Sequence, residues 1–188
     1  MSDDKLIQAE EALIRALGRQ SAFWGLGKTA GEMYAVLYLS SAPVPLEEVA
    51  RRLGVTKGNV SVAIRQLEQL GLARRSWEKG DRRVFFVAET DFWKIAHSVL
   101  SLRHKPEFDQ SFALVAEGAG LADEAEASSD KDVVRQRFAA LQEFYRLVDS
   151  LVDVALAMKP EQMKALAEML SDFKPGMGPS LIGKELTE

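Results

Sequence analysis

The hydrophobic period of the chain changes at Gly71, and this change constrains the fold more than any other feature. Over residues 46–70, apolar side chains recur every three or four positions, which is typical of amphipathic helices. Residues 72–77 and 82–87 instead follow the pattern of β-strands, and Gly80 between them supplies a positive φ angle for a tight turn. Two helices followed by a hairpin predict a winged helix-turn-helix.

The two helices of this motif have clear start and stop signals. The first begins after Pro45 and ends at Gly54, which suits a left-handed C-cap. Thr56 is the predicted N-cap of the second helix, which runs to about Leu70.

Helices also dominate the rest of the sequence. They are predicted at about residues 4–20, from an N-cap at Thr29 to the prolines at 43 and 45, from a cap at Thr90 or Asp91 to Leu100, at about residues 131–158, and from Pro160 onward. Residues 117–132 are rich in Gly, Ala, Ser and acids and are predicted to be a loop or a frayed helix, while the tail from Phe173 has no regular pattern.

A helical wheel of residues 57–70 separates two faces. The apolar face, expected to be buried, is formed by Val60, Ala63, Ile64, Leu67 and Leu70. The opposite face is small, polar and basic, with Glu68 only at its edge, which suits the major groove of DNA. Here polar side chains read base edges, the helix N-terminus binds phosphate, and an apolar side chain contacts a thymine methyl. The predicted DNA-binding residues of this helix are Thr56, Lys57, Gly58, Asn59, Ser61, Val62 and Arg65.

Basic residues are concentrated in this part of an acidic chain. The formal net charge is -4, yet residues 51–83 carry nine Lys or Arg against three acids, so the remainder carries about -10. A basic segment of this length is typical of phosphate contact. At the hairpin tip, Lys79, Arg82 and Arg83 are therefore predicted to contact the DNA backbone or the minor groove, with Asp81 holding an arginine in the turn.

Other interpretations of these elements stay open at this point. Residues 57–70 could also form an ordinary surface helix. The charged residues of the hairpin could simply be solvated on a wing with a structural role. Winged helices also serve as protein-interaction modules, in which case the acidic remainder would dock a basic partner without DNA binding. An enzyme is a third class, but no nucleophile–base arrangement is recognisable, so no catalytic residue is predicted.

Several short segments are more specific than general helix-turn-helix patterning. They are GKTAG (27–31), TKGNVS (56–61), LGL (70–72), WEKGDR (77–82) and TDFWK (90–94). With them, the first half of the chain resembles the GbsR-type branch of the MarR-like transcriptional regulators. This resemblance implies a homodimer, with helices from both chain ends at the interface, that represses or activates transcription by binding double-stranded operator DNA. It also implies modulation by a small-molecule effector, as in some relatives; repression is the predicted sign.

The predicted helix at residues 131–158 contains a heptad seam with spacings of four and three. The predicted dimerisation residues are Val134, Phe138, Leu141, Tyr145, Val148 and Val152. The alternative is a seam buried in the core of one chain. The predicted fold is mainly α with a small β-hairpin wing, a winged helix-turn-helix plus a helical dimerisation region. Its parts are an N-terminal helix at the dimer interface (1–25), the DNA-binding domain (26–90) and a dimerisation and effector region (91–188).

Metal and nucleotide sites are not predicted. Without cysteine there is neither a disulfide framework nor a thiolate zinc site, and His97 and His104 have no convergent donors. A P-loop ending at Gly27-Lys28-Thr29 would need glycine at position 22, which is Ala22. The dinucleotide fingerprint must follow a strand, whereas a helical pattern precedes residues 25–30. No cofactor is therefore expected.

Aromatic side chains and the chain's hydropathy complete the sequence predictions. Phe92, Trp93, Phe108, Phe112 and Tyr145 are expected either in the core or around an effector pocket that suits a quaternary amine. No apolar run approaches the roughly 20 residues of a membrane span, and the N-terminus lacks the features of a signal peptide. A cytoplasmic protein is expected.

Overall fold

The computed structural model describes residues 2–171, and the chain divides into two compact units, residues 1–111 and 112–188. The elements in chain order are α1 (Ser2–Phe23), α2 (Lys28–Leu39), β1 (Val44–Pro45), α3 (Leu46–Leu53), α4 (Lys57–Gln69), β2 (Ala73–Ser76), β3 (Phe85–Ala88), α5 (Phe92–Val99), a π-helical turn (Leu100–His104), α6 (Lys105–Glu124), α7 (Ser129–Ala157) and α8 (Pro160–Ser171). Between residues 2 and 171, no helix combines the length and the apolar character needed to cross a membrane.

The core of the first unit is centred on α2. Its side chains Met33 and Val36 are buried with Val49 of α3 and with Val60 and Leu67 of α4. Each fully buried side chain of this kind contributes about 1.5–3 kcal/mol relative to an exposed one. The three helices are therefore held together by the apolar faces that their hydrophobic period predicts.

Helix α1 crosses α2 closely at Gly31. A Cβ atom on Gly31 would lie 2.1 Å from the backbone oxygen of Leu17 and 2.4 Å from Cβ of Ser21, so the contact requires glycine. The Ser21 hydroxyl donates a hydrogen bond of 2.8 Å to the carbonyl of Gly27 and fixes the turn between the two helices. The C-terminal half of α1 is thus part of the first unit.

A three-stranded antiparallel sheet in the order β1-β3-β2 forms the wing and its base. The predicted hairpin is confirmed, but its strands are shorter than residues 72–77 and 82–87. Strand β1 is not predicted by the sequence, which indicates only that Val44 and Pro45 end a helix. A strand of two residues is too short to show the alternating pattern of a β-strand in the sequence. Proline is tolerated in β1 because it is an edge strand.

Several predicted helix ends are confirmed and one is wrong. Gly54 is left-handed at φ 64°, and Thr56 and Asp91 accept N-cap hydrogen bonds. The N-cap of α2, however, is Gly27 at φ 81°, without a side-chain bond, and Thr29 lies inside the first turn. The glycine-rich turn before α2 sets the start of this helix through backbone conformation rather than through a hydroxyl cap.

Residues 117–132 are mainly helical, which corrects the prediction of a loop or frayed helix. Helix α6 continues to Glu124, and α7 begins after Ser128, whose side chain accepts from the backbone N–H of Lys131. A Cβ on Gly118 of α6 would lie 2.7 Å from the ring of Phe138 on α7, so any larger residue there would require this ring to move. The glycine that suggested a loop is therefore explained by close helix packing. The predicted irregular tail lies outside the described residues.

Candidate nucleic-acid interface

Helix α4 separates its two faces as the helical wheel predicts. Val60, Ala63, Ile64 and Leu67 are at most 4% exposed and face the core. At the start of the helix, Thr56 Oγ1 accepts a hydrogen bond of 3.3 Å from the backbone N–H of Asn59. The cap and the apolar face together fix which side of α4 points outward.

The outward side of α4 brings the predicted contact residues onto one surface. Thr56, Lys57, Gly58, Asn59, Val62 and Arg65 are exposed, and Ser61 is half-buried. Val62 is 62% exposed, which is unusual for an apolar side chain. A Cβ on Gly58 would meet nothing closer than Thr56 Oγ1 at 3.8 Å, so the backbone is open to close approach. Arg65 Nε donates to the carbonyl of Ser61 at 2.9 Å and keeps the guanidinium beside the helix.

One of the three basic residues predicted to contact DNA from the wing forms an ion pair with an acidic residue of the turn. Gly80 adopts φ 90° in the turn, and Asp81 accepts from the backbone N–H of Arg83 at 2.9 Å and from its Nη2 at 2.6 Å. These bonds lower the pKa of the Asp81 carboxyl and raise the pKa of Arg83. The guanidinium also lies 5.3 Å from the centroid of the Phe85 ring. Arg83 is therefore held in place as predicted, while Lys79 and Arg82 are exposed.

A second ion pair ties the wing to α4, and the sequence does not predict it. Arg75 Nε of β2 donates to Glu68 Oε1 at 2.7 Å, and its Nη2 donates to Oε2 at 3.2 Å. The helical wheel places Glu68 only at the edge of the outward face. The opposite charges of the two residues are visible in the sequence, but the register that brings them together is not.

Ion pairs reduce the number of cations available in the basic segment. Glu48 accepts from both Arg51, at 2.6 and 2.8 Å, and Arg52, at 2.9 Å, and these bonds lower the pKa of Glu48 to about 2. Within residues 2–171, the basic side chains of this segment without an ion-pair partner are Lys57, Arg65, Arg74, Lys79 and Arg82. They lie on α4 and on the two sides of the wing, so the effective positive charge is concentrated there.

The aromatic residues considered for an effector pocket lie in both units. Phe92 packs on Tyr38 in the first unit, with 5.5 Å between ring centroids, and Phe112 stacks on Tyr145 in the second at 5.6 Å. The first unit also contains an apolar cavity of about 380 Å³ between α1, α2, α4 and α5, with Trp24 among its lining residues. Among the described residues, no group of three His, Asp or Glu side chains is arranged to hold a metal ion.

The predicted heptad seam on α7 packs partly within its own unit. The ring of Phe138 meets α6 at Gly118, and Tyr145 stacks on Phe112. Val148 and Val152 are half-buried, while Val134 and Leu141 are 42% and 41% exposed. Part of the predicted seam is therefore packed inside its own chain, as the alternative interpretation expects.

A different apolar stripe on α7 is exposed. Phe144, Leu147, Leu151 and Val154 are 54–61% exposed and also follow spacings of three and four. On a helical wheel this stripe lies about 120° from the predicted seam. We call these four residues the outer stripe of α7.

Comparisons with known proteins agree with this architecture. Residues 24–84 match the model of the MarR family. The chain is 26% identical over 91 residues to the HTH-type transcriptional repressor OpcR of Bacillus subtilis (strain 168), covering 48% of this chain and 49% of that protein. It is also 26% identical over 87 residues to the HTH-type transcriptional repressor GbsR of the same organism, covering 46% of this chain and 48% of that protein.

A solved structure extends the likeness in fold. The crystal structure of a transcriptional regulator superposes with a TM-score of 0.56 at 19% identity, covering 79% of this chain and 95% of the other. The chain spans about half the length of the curated relatives that it matches. The predicted mainly helical winged-helix fold is confirmed, and residues 24–84 of this chain form a winged-helix domain that is similar to the MarR family model.

Proposed function

We propose that the chain is a transcriptional regulator, a repressor, that binds specific sites in double-stranded DNA as a homodimer. The observation that carries the proposal is the outward face of α4. It combines Lys57, Asn59 and Arg65 with an accessible backbone at Gly58 and an exposed Val62. Such a surface supplies donors for base edges and a methyl-sized contact for thymine.

The wing supports this proposal because Arg75 of β2 ties it to α4 through Glu68. The same pair neutralises Glu68, which would repel a phosphate. Lys79, Arg82 and Arg83 are exposed around the wing turn. In this arrangement α4 reads the major groove, and the tip of the wing contacts the backbone or the adjacent minor groove.

A homodimer is proposed because one reading helix makes few base contacts, and two-fold pairing places two helices on neighbouring half-sites. The exposed members of the predicted seam, Val134 and Leu141, and the outer stripe of α7 leave apolar surface that a second copy would cover. We retain residues 1–25 and 91–188 as the regions that contribute to dimerisation, around a DNA-binding domain at 26–90. We propose the cytoplasm as the place where such a regulator acts.

A small-molecule effector is part of the proposal. The apolar cavity of about 380 Å³ in the first unit contacts α4 through Leu67 and α5 through Phe92. Its size lies within the range of ligand pockets. A ligand bound there would act on DNA binding by changing how α4 is supported.

The proposal is tested by selecting bound duplexes from a random pool and then measuring fluorescence anisotropy with selected and scrambled duplexes. We expect an inverted repeat, and an affinity that falls by orders of magnitude between about 50 and 200 mM salt. A protein-interaction module without DNA binding would show neither. Binding of the selected duplex with no salt dependence would contradict the proposed phosphate contacts.

A further inference from the structure

Helix α4 has two flanks, and the wing occupies only one of them. Gln66 and Glu68 are two positions apart, so their side chains point about 160° apart around the helix. Glu68 is tied to Arg75 of the wing. On the flank of Gln66, an open cleft of about 660 Å³ separates α4 from Leu102 and Arg103 of the π-helical turn.

The chemistry of this cleft suits an anion. Its polar lining consists of Arg65, Gln66 and Gln69 from α4 and Arg103 from the opposite wall, and no acid lies among its lining residues. The other lining residues are apolar: Val62, Leu70 and Leu102. The four polar side chains carry N–H donors, and two of them carry a positive charge. This flank therefore presents a second basic surface beside the outward face of α4.

The guanidinium of Arg103 is not saturated by the chain itself. Its Nη1 lies 3.2 Å from Glu107, whose side chain is 62% exposed, and its Nε is buried without an acceptor among residues 2–171. A π-helical turn is rare and is often found at functional sites. Here the turn places Arg103 beside the C-terminal half of α4, 38 positions along the chain from Arg65.

We propose that Arg103 is a further DNA contact, which binds a backbone phosphate on the flank of α4 opposite the wing. This inference rests on the proposed function. A helix in the major groove lies between two sugar-phosphate backbones, and the groove is only about 12 Å wide. The wing is positioned for one backbone, and Arg103, on the opposite flank of α4, is positioned for the other. The planar fork of arginine suits phosphate oxygens.

The test measures anisotropy of the full chain with selected and scrambled duplexes over a salt series. Arg103→Gln removes the charge, Arg103→Lys keeps it, and Arg146→Gln removes one exposed arginine from α7 as the matched control. Each phosphate contact contributes about 0.9 to the slope of log affinity against log salt concentration. For each contact that a variant loses, the ratio of the affinities at about 50 and 200 mM salt should therefore become roughly 3.5-fold smaller. We expect this change for Arg103→Gln with both duplexes, and little change for Arg103→Lys and Arg146→Gln.

Glu107→Gln provides a second variant with the opposite expected result. It removes the ion-pair partner of Arg103 and leaves the arginine in place, so DNA binding should tighten at low salt. When Glu107→Gln is combined with Arg103→Gln, its effect on DNA affinity should be smaller, because there is no arginine at position 103 to be freed from the ion pair. Circular dichroism confirms that each variant is folded.

The outcomes separate this inference from the function on which it rests. A wild-type chain that does not bind DNA overturns both. A wild-type chain that binds, with an identical salt slope for Arg103→Gln, overturns only the role of Arg103. A weakening restricted to the selected duplex would also overturn it, because a phosphate contact affects all sequences alike.

Discussion

The guanidinium of Arg75 donates two hydrogen bonds, of 2.7 and 3.2 Å, to the carboxylate of Glu68 and so joins strand β2 to helix α4. This pair connects the two elements proposed to contact DNA. It raises the pKa of Arg75, chiefly through the hydrogen bond to Glu68. The contact orients the wing relative to α4, although the Arg75 side chain is 54% exposed.

The first prediction concerns the energy of this pair. Because exposed ion pairs are screened by water, the effects of Glu68→Gln and Arg75→Gln on the free energy of unfolding in urea should be close to additive in a double-mutant cycle. The same pair should matter more for DNA binding, since Arg75→Gln leaves Glu68 without its cation beside the DNA. Strongly non-additive effects of the two substitutions would mean that the pair is effectively buried.

The second prediction separates base contacts from backbone contacts. Arg65→Ala should reduce binding of a selected duplex by about 1–3 kcal/mol and reduce the preference over a scrambled one. Arg82→Ala, at the wing, should weaken both duplexes by a similar factor and lower the salt slope. Anisotropy with both duplexes measures the two effects. If Arg65→Ala left the sequence preference intact, its role as a reading residue would be wrong.

The third prediction compares two helical glycines. Gly31→Ala forces a Cβ to within 2.1 Å of backbone, so we expect the free energy of unfolding to fall by about 1–3 kcal/mol or more. Gly58→Ala has open space and should stabilise the fold by about 0.5–1 kcal/mol. Urea unfolding measures both.

Gly58→Ala should nevertheless weaken DNA binding, because the new methyl group stands where the backbone is proposed to approach DNA. Tighter binding by this more stable variant would remove Gly58 from the contact surface.

The fourth prediction concerns Tyr34, whose hydroxyl donates a hydrogen bond of 2.7 Å to the carbonyl of Glu89. Burial raises the pKa of Tyr34 to about 12. A raised pKa means that the neutral hydroxyl stabilises the folded state below about pH 10, and that this contribution is lost as pH rises through about 12. Tyr34→Phe should cost about 1 kcal/mol near neutral pH.

Urea unfolding at about pH 8 and about pH 11 checks the sign of this effect. The difference in the free energy of unfolding between the wild type and Tyr34→Phe should shrink at the higher pH. There the wild type begins to lose the stabilisation that the variant lacks. A difference that grows with pH would contradict it.

The fifth prediction concerns the proposed homodimer. Leu147→Glu combined with Leu151→Glu places two charges on the outer stripe of α7, where both side chains are about 60% exposed and their replacement leaves no cavity. We expect a folded monomer by sedimentation velocity, because burying two unpaired carboxylates is unfavourable. Ala139→Glu, on another face of α7, is the matched control and should stay dimeric. A dimeric double variant would exclude the outer stripe as the interface.

Features encoded over a few residues could be predicted from the sequence. The caps at Thr56 and Asp91, the left-handed Gly54 and the two faces of α4 depend on neighbours within one or two helical turns. Such local signals also locate the wing turn at Gly80. This is why most of the candidate interface follows from the sequence alone.

Features that depend on distant partners could not be predicted. Strand β1 exists because Val44 and Pro45 lie against β3, about 40 positions later in the chain. Gly118 suggests a loop in the sequence because nothing near it indicates the Phe138 ring that excludes a side chain. Arg103 carries no motif, and only the π-helical turn and the packing of the first unit place it beside α4.

The bond between Asp81 and Arg83 has a consequence for how affinity responds to salt. Asp81 acts as a built-in counterion, so Arg83 reaches a phosphate only by exchanging one anionic partner for another. Such an exchange releases fewer ions from solution than a contact by the unpaired Arg82. If the wing binds DNA as proposed, a count of phosphate contacts taken from the salt slope would therefore fall below the number of wing cations that contact the DNA.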